Sequence, residues 1–141
     1  MAITFVDSST VDLAAAKAIT LPVPNAAQAD DFMLAFVKQC ENTTARNWDD
    51  DGGGGNGWTL LTQNRTTGGR DLETAIYYKT HDGSESNPTF TWWAEATTNE
   101  PISGSLLVYR GVSTVEPIAA WAYANEQNDS NPPNPAVRIS Q

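Results

Sequence analysis

Three consecutive aspartates, Asp49, Asp50 and Asp51, form the densest group of ligand-type side chains in the sequence. Closely spaced carboxylates beside a glycine run could chelate a hard cation such as Ca²⁺, which binds through about six to eight oxygen atoms. The spacing does not fit an EF-hand, because Leu60 stands where that loop places its bidentate glutamate. These aspartates are the chain's calcium candidates, and a flexible, solvated loop over residues 41–57 is the interpretation we favour.

Side chains suited to acid–base or nucleophilic catalysis are sparse. His81 is the only histidine and precedes Asp82 and Gly83 in a predicted exposed turn, and no Gly-x-Ser-x-Gly elbow accompanies it. Cys40, the only cysteine, is predicted to be a buried structural thiol. The acids that a glycosidase could use stand near predicted strand ends: Glu85, Glu95, Glu100 and Glu116. Most acidic residues in a chain of this charge simply face water, so we predict no catalytic residue, no cofactor and no enzyme.

Tryptophans suggest a different kind of chemistry, because an exposed indole can stack on the apolar face of a sugar. Trp92 and Trp93 are adjacent, so on a strand their side chains point to opposite faces and one of them points outward. Packing or a subunit contact is the alternative for an outward indole, since interfaces are also rich in aromatic residues. Trp48, beside the aspartates, and Trp93 are the candidates for contact with a ligand or partner.

The charge balance excludes several partner classes. The formal net charge is −9 and the sequence pI is near 4.3. Binding to nucleic acid or to an anionic membrane depends on clustered Lys and Arg, and the eight basic residues are scattered. No apolar run approaches the length of about 20 residues that a spanning helix needs, and the first residues do not resemble a signal peptide. We expect synthesis in a cytoplasm.

Short β-branched and aromatic runs, each bounded by Gly, Pro, Asn or Asp, predict strands. The candidate strands are 2–6, 18–23, 32–38, 58–63, 74–79, 89–93, 105–110, 118–123 and 136–139. The Ala-rich stretch 11–19 is predicted to be a loop or a single turn. The spacing of these runs predicts an all-β fold, namely an antiparallel β-sandwich of jelly-roll or Ig-like type with roughly eight short strands. We expect one domain over residues 1–141, with a Pro-rich segment at 131–141.

Two of these strands are apolar on both faces, whereas a surface strand should alternate apolar with polar residues. The second face is covered either by another part of the chain or by a partner subunit. Met33 and Val37 in the third candidate strand, and Leu107 and Tyr109 in the seventh, are the residues proposed for such an interface.

Five phrases, taken in chain order, resemble a known family. They are DFMLAFV at 31–37, GWTLL at 57–61, IYYK at 76–79, PTFTW at 88–92 and SLLVYRGV at 105–112 followed by Pro117-Ile118. The family is a β-sandwich domain of phage virion proteins, including tail, fibre and head-decoration components, and of bacterial surface proteins. The polar loop 41–56 departs from its pattern, and so does the end of the sequence soon after Pro135, where further strands usually follow in the family. The resemblance therefore implies either that the chain closes its sandwich with fewer strands or that a neighbour completes its last strand.

The resemblance implies a non-enzymatic structural protein of a virion, with other virion proteins and copies of itself as partners. The alternative is a receptor- or carbohydrate-binding module whose partner is a host glycan.

Overall fold

The computed structural model describes residues 2–41, 48, 57–66, 71–91, 99–122 and 136–139. Within these ranges the chain is all-β, without a helix. Its strands are β1 (Thr4–Ala16), β2 (Ala18–Thr20), β3 (Phe32–Glu41), β4 (Thr59–Thr66), β5 (Asp71–Thr80), β6 (Thr89–Thr91), β7 (Glu100–Arg110), β8 (Ile118–Ala122) and β9 (Ala136–Ile139). Each strand overlaps a predicted run, although several boundaries differ and most of β1 lies outside the run predicted for it.

The largest sheet has five antiparallel strands in the order β1-β7-β3-β5-β4. β3 lies at its centre, which explains why this strand is apolar on both faces. A second sheet, β2-β6, packs on one face of the large sheet, and the β8-β9 pair contributes to the other. Face-to-face packing of antiparallel sheets confirms the predicted β-sandwich class.

The main core lies between the large sheet and β2-β6. Ile19 of β2 and Phe90 of β6 are completely buried against Met33, Tyr77 and other residues of the large sheet. The Phe90 ring lies 4.9 Å from that of Tyr77 and 5.4 Å from that of Trp58, measured between centroids. Each such side chain contributes about 1.5–3 kcal/mol by leaving water, which holds the three-residue strands β2 and β6 in place.

The two predicted interface residues on β3 belong to this core. Met33 is 0% and Val37 is 2% exposed, so neither is available to a partner subunit. Their prediction was wrong because alternation along β3 directs these two side chains toward β2-β6, which the sequence alone did not place. Both faces of β3 are apolar over residues 32–35 because the chain covers both of them there.

The opposite face of the large sheet carries a second apolar cluster. Phe32 and Leu34 are buried there with Val112, and Ile118 of β8 and Ile139 of β9 pack against them. The other two predicted interface residues, Leu107 and Tyr109, are half-buried at this cluster. Near the start of β3, the second face is therefore covered by the chain itself.

β1 is much longer than predicted. The stretch 11–19, expected to be a loop or turn, instead continues β1 to Ala16 and leads directly into β2. The small alanines do not oppose this, because the strand is held by backbone pairing with β7 from Thr4↔Arg110 to Ala16↔Glu100. The register is irregular between Phe5 and Asp7 and again between Leu13 and Ala16, so the regular part of the ladder runs from Asp7 to Leu13.

Candidate functional site

A polar row crosses the second face of the large sheet, beyond the part that β8-β9 covers. Cross-strand pairing joins Asp12 to Ser103, Ser103 to Lys38, Lys38 to Thr74 and Thr74 to Asn64. Paired residues in antiparallel strands present their side chains on the same face, so these five groups form one line. We call Asp12, Ser103, Lys38, Thr74 and Asn64 the polar row.

The neighbouring row, one step toward the apolar cluster, is mixed. It pairs Thr10, Ser105, Phe36, Ile76 and Thr62 in the same order of strands. Hydroxyls therefore stand at its two ends, and an aromatic ring with an aliphatic side chain forms its centre. The Thr10 and Ser105 hydroxyls lie 3.1 Å apart and share a hydrogen bond. This second row provides an amphipathic floor beside the polar row.

A groove with a volume of about 480 Å³ lies over both rows and is lined by Thr10, Phe36, Thr62 and Ile76 together with four members of the polar row. A second depression, of about 560 Å³, continues it toward Cys40 and shares three members of the polar row. The two depressions therefore form one groove over the half of the sheet that no described segment covers.

The charges of the groove are balanced. Asp12 and Lys38 are exposed on either side of Ser103, and neither takes part in an ion pair within the described ranges. The row thus offers one carboxylate that accepts hydrogen bonds, one ammonium that donates them and hydroxyls that do both. Activation of a serine by lysine requires a desolvated amine, and Lys38 is exposed, so this arrangement is suited to hydrogen bonding rather than to nucleophilic attack.

Sequence reasoning missed this site. The period-two recurrence of polar residues in β4, at Thr62 and Asn64, and in β7, at Ser103 and Ser105, was a signal for a hydrophilic strand face. The signal lies in separate parts of the chain, however, and only the register of five strands brings the groups into one line. The residues singled out in the sequence lie elsewhere.

Trp48 does not form a binding platform. It is 1% exposed and packs in the main core, and its indole N–H has no hydrogen-bond partner among the described residues. The prediction was wrong because an indole within a polar segment still gains more from burial than from water. Trp93 and the calcium candidates Asp49, Asp50 and Asp51 lie outside the described residues.

His81 is not an exposed turn residue, since it is only 6% exposed. Its backbone N–H donates to the Asp31 carbonyl at 2.8 Å, and its ring Nδ1 accepts the Gly83 N–H at 2.9 Å. The backbone bond ties the segment after β5 to the segment before β3, and the Asp30 N–H adds a second such bond by donating to the His81 carbonyl at 2.9 Å. The predicted exposure was wrong because the backbone of His81 connects these two segments, while its ring is buried and accepts a local bond. Cys40 is half-buried rather than fully buried.

Asp31 anchors the same connection to the end of β7. Its two carboxylate oxygens accept hydrogen bonds from Arg110 Nε at 2.8 Å and Nη2 at 2.7 Å, and one also accepts the Gln28 N–H. Burial alone would raise the pKa of Asp31, but these bonds and the nearby charges of Arg110 and His81 outweigh it and hold the pKa below its usual value. Because the Asp31 carboxylate is held ionised by its hydrogen bonds to Arg110, the pair is suited to holding the two segments together rather than to acid–base chemistry.

Among the described residues, no three His, Cys, Asp or Glu side chains form a group that could hold a metal ion. None of the described segments is a helix able to cross a membrane. Fold and groove together define a β-sandwich with one partly open polar face. Comparison with protein-family models, curated proteins and solved structures finds no match to this chain.

Proposed function

We propose that the chain is a non-enzymatic structural protein of a virus particle, either a capsid decoration protein or a tail or fibre component, that acts through protein–protein contacts. The family resemblance of its strand phrases supports a virion module. The observation that carries the proposal is β1, a long strand at the edge of the large sheet.

β1 has 13 residues, and none of them is buried. The described structure pairs β1 only with β7, which leaves the outer side of its backbone without a neighbouring strand. The Ser8 N–H bonds to the Asp7 carboxylate at 2.8 Å, from which we infer that this N–H points away from β7. Since peptide groups alternate in direction along a strand, Thr10 and Asp12 also present their N–H and C=O groups outward. An extended segment of a neighbouring subunit can pair with these groups.

The same edge carries features that restrict indiscriminate pairing. The Asp7 carboxylate already occupies the Ser8 N–H, and Asp12 adds a second negative charge. The register irregularities near both ends of β1 limit the straight portion that a partner strand could follow. A partner must therefore match a short segment and displace or accommodate Asp7, which favours one specific neighbour over general aggregation.

Two measurements test the proposal together. Mass spectrometry of purified particles, produced from the genome that encodes the chain, should detect it at a stoichiometry typical of a structural component. Multi-angle light scattering of the recombinant chain with particles or subassemblies lacking it should show the chain joining the assembly. Absence of the chain from purified particles, together with no association in solution, would overturn the proposal.

A further inference from the structure

We propose that the polar row and its groove bind a neutral oligosaccharide, with the sugar chain lying across the strands. This inference goes beyond the proposed structural role and does not depend on it. The ligand class follows from three properties of the groove: the spacing of its hydrogen-bonding groups, its balanced charge and its amphipathic floor.

The spacing suits a polymer of small polar units. Adjacent strands lie about 4.8 Å apart, so the polar row presents one polar side chain per step and extends for about 19 Å between its outer members. A pyranose ring is comparable in length to one such step. Successive sugar units can therefore meet successive groups, beginning with Asp12 on β1 and continuing through Ser103 and Lys38.

The charge balance favours a neutral ligand. Asp12 and Lys38 contribute one negative and one positive charge to the row, and the chain as a whole carries a net charge of −9. A polyanionic glycan would meet repulsion from the protein, and Lys38 is the one cation among the described residues that line the groove. Sugar hydroxyls both donate and accept, and charged partners form the stronger hydrogen bonds.

The floor matches the two-sided character of a sugar. One face of a pyranose consists of C–H groups, and the half-buried Phe36 with Ile76 supplies an apolar surface directly beside the polar row. Hydroxyls of Thr10 and Thr62 stand at the ends of that surface. A sugar unit can thus pack its C–H face on Phe36 while its edge hydroxyls reach Lys38 and Ser103.

The experiment is a nuclear magnetic resonance titration of the full ¹⁵N-labelled chain with β-1,4-linked glucose and N-acetylglucosamine oligomers of one to six units. Amide shifts should concentrate at the polar row, and affinity should rise with length and level off at about four units, the number of strand steps that the row spans. Lys38→Met and Asp12→Asn should each weaken binding about tenfold, the effect of one charge-assisted hydrogen bond.

Lys17→Met is the matched control, since it removes the same charge outside the groove and should leave the affinity unchanged. If Lys38→Met does not fold, Thr74→Val tests the same row by removing one hydroxyl at nearly constant volume. The proposal is overturned if none of these oligomers binds, if shifts map to another face, or if the groove variants bind as tightly as the unaltered chain. Tighter, salt-sensitive binding of a sulfated oligomer would also contradict it.

Discussion

Leu21 lies over Gly104, the glycine at the middle of β7. A Cβ at position 104 would stand 3.1 Å from Leu21 Cδ2 and 3.0 Å from the Phe36 carbonyl oxygen. The Leu21 N–H donates to the Pro88 carbonyl at 2.9 Å, so the segment after β2 is fixed to the segment before β6 at the same place. The missing side chain of Gly104 is what allows the second sheet to approach the first so closely.

Gly104→Ala should therefore lower the free energy of unfolding by about 1–3 kcal/mol, the usual cost of adding a methyl group to a closely packed core. Urea denaturation followed by tryptophan fluorescence measures this difference. Ser103→Ala is the control on the same strand, because its side chain lies in the groove, and it should change the free energy by less than about 0.5 kcal/mol. Equal effects of the two substitutions would show that Leu21 does not pack on Gly104.

Gln39 is a polar side chain in an apolar position. It is 1% exposed, and neither atom of its amide has a hydrogen-bond partner among the described residues. Gln39→Leu keeps a similar volume and removes the burial of an unsatisfied amide, so it should raise the free energy of unfolding by about 1 kcal/mol. Chemical denaturation of both proteins under one buffer condition checks the sign. A loss of stability would indicate that the Gln39 amide is bonded in solution.

The Asp31–Arg110 pair makes stability dependent on pH. The pKa of Asp31 in the folded chain lies below its unfolded value of about 3.9, so its carboxylate contributes stability above that pH. The contribution is lost as the pH falls through the folded pKa. Asp31→Asn should lower the melting temperature by several degrees at pH 7, and the difference from the unaltered chain should shrink as the pH falls below about 4. Thermal unfolding between pH 3 and 7 tests this, and a constant difference would contradict it.

Proline substitutions at two adjacent residues of β1 separate pairing with a neighbour from pairing within the chain. The Ser8 N–H points outward and that of Ser9 points toward β7, because peptide directions alternate. Ser8→Pro should keep the melting temperature nearly unchanged while preventing association with the particle. Ser9→Pro removes an internal ladder bond, leaves its β7 partner unpaired and removes the Ser9 hydroxyl bond to the Pro22 carbonyl, so it should lower the stability by about 1–3 kcal/mol.

Calorimetry and the light-scattering assay provide the two readouts. If Ser8→Pro associates as well as the unaltered chain, the outer edge of β1 is not the contact.

Local patterns in the sequence were sufficient to locate the strands. β-branched and aromatic runs between turn residues identified all the described strands, because each run reports its own preference for extended backbone. The prediction failed at 11–19, where alanine-rich sequence has no such preference and long-range pairing with β7 determines the conformation. The assignment of Met33 and Val37 failed for a related reason, since alternation shows that β3 has two faces but not which layer covers each.

The groove could not be predicted residue by residue. Asp12, Lys38 and Asn64 lie far apart in the chain and gain their relationship only through the sheet order and its register. His81 is the only histidine and Trp48 is an indole beside three aspartates, yet the burial of both depends on contacts with distant segments. A residue type can suggest chemistry, but the place of its side chain depends on the tertiary fold.

The pairing of β1 with β7 also governs when the protein can fold during its synthesis. The first long strand is held by one that begins only at Glu100, and the central strand β3 needs the same partner. A ribosome must release most of the chain before the middle of the sheet can close. Until then β3 lacks one of its two neighbouring strands, and apolar surface that stays exposed at this stage favours association with other chains.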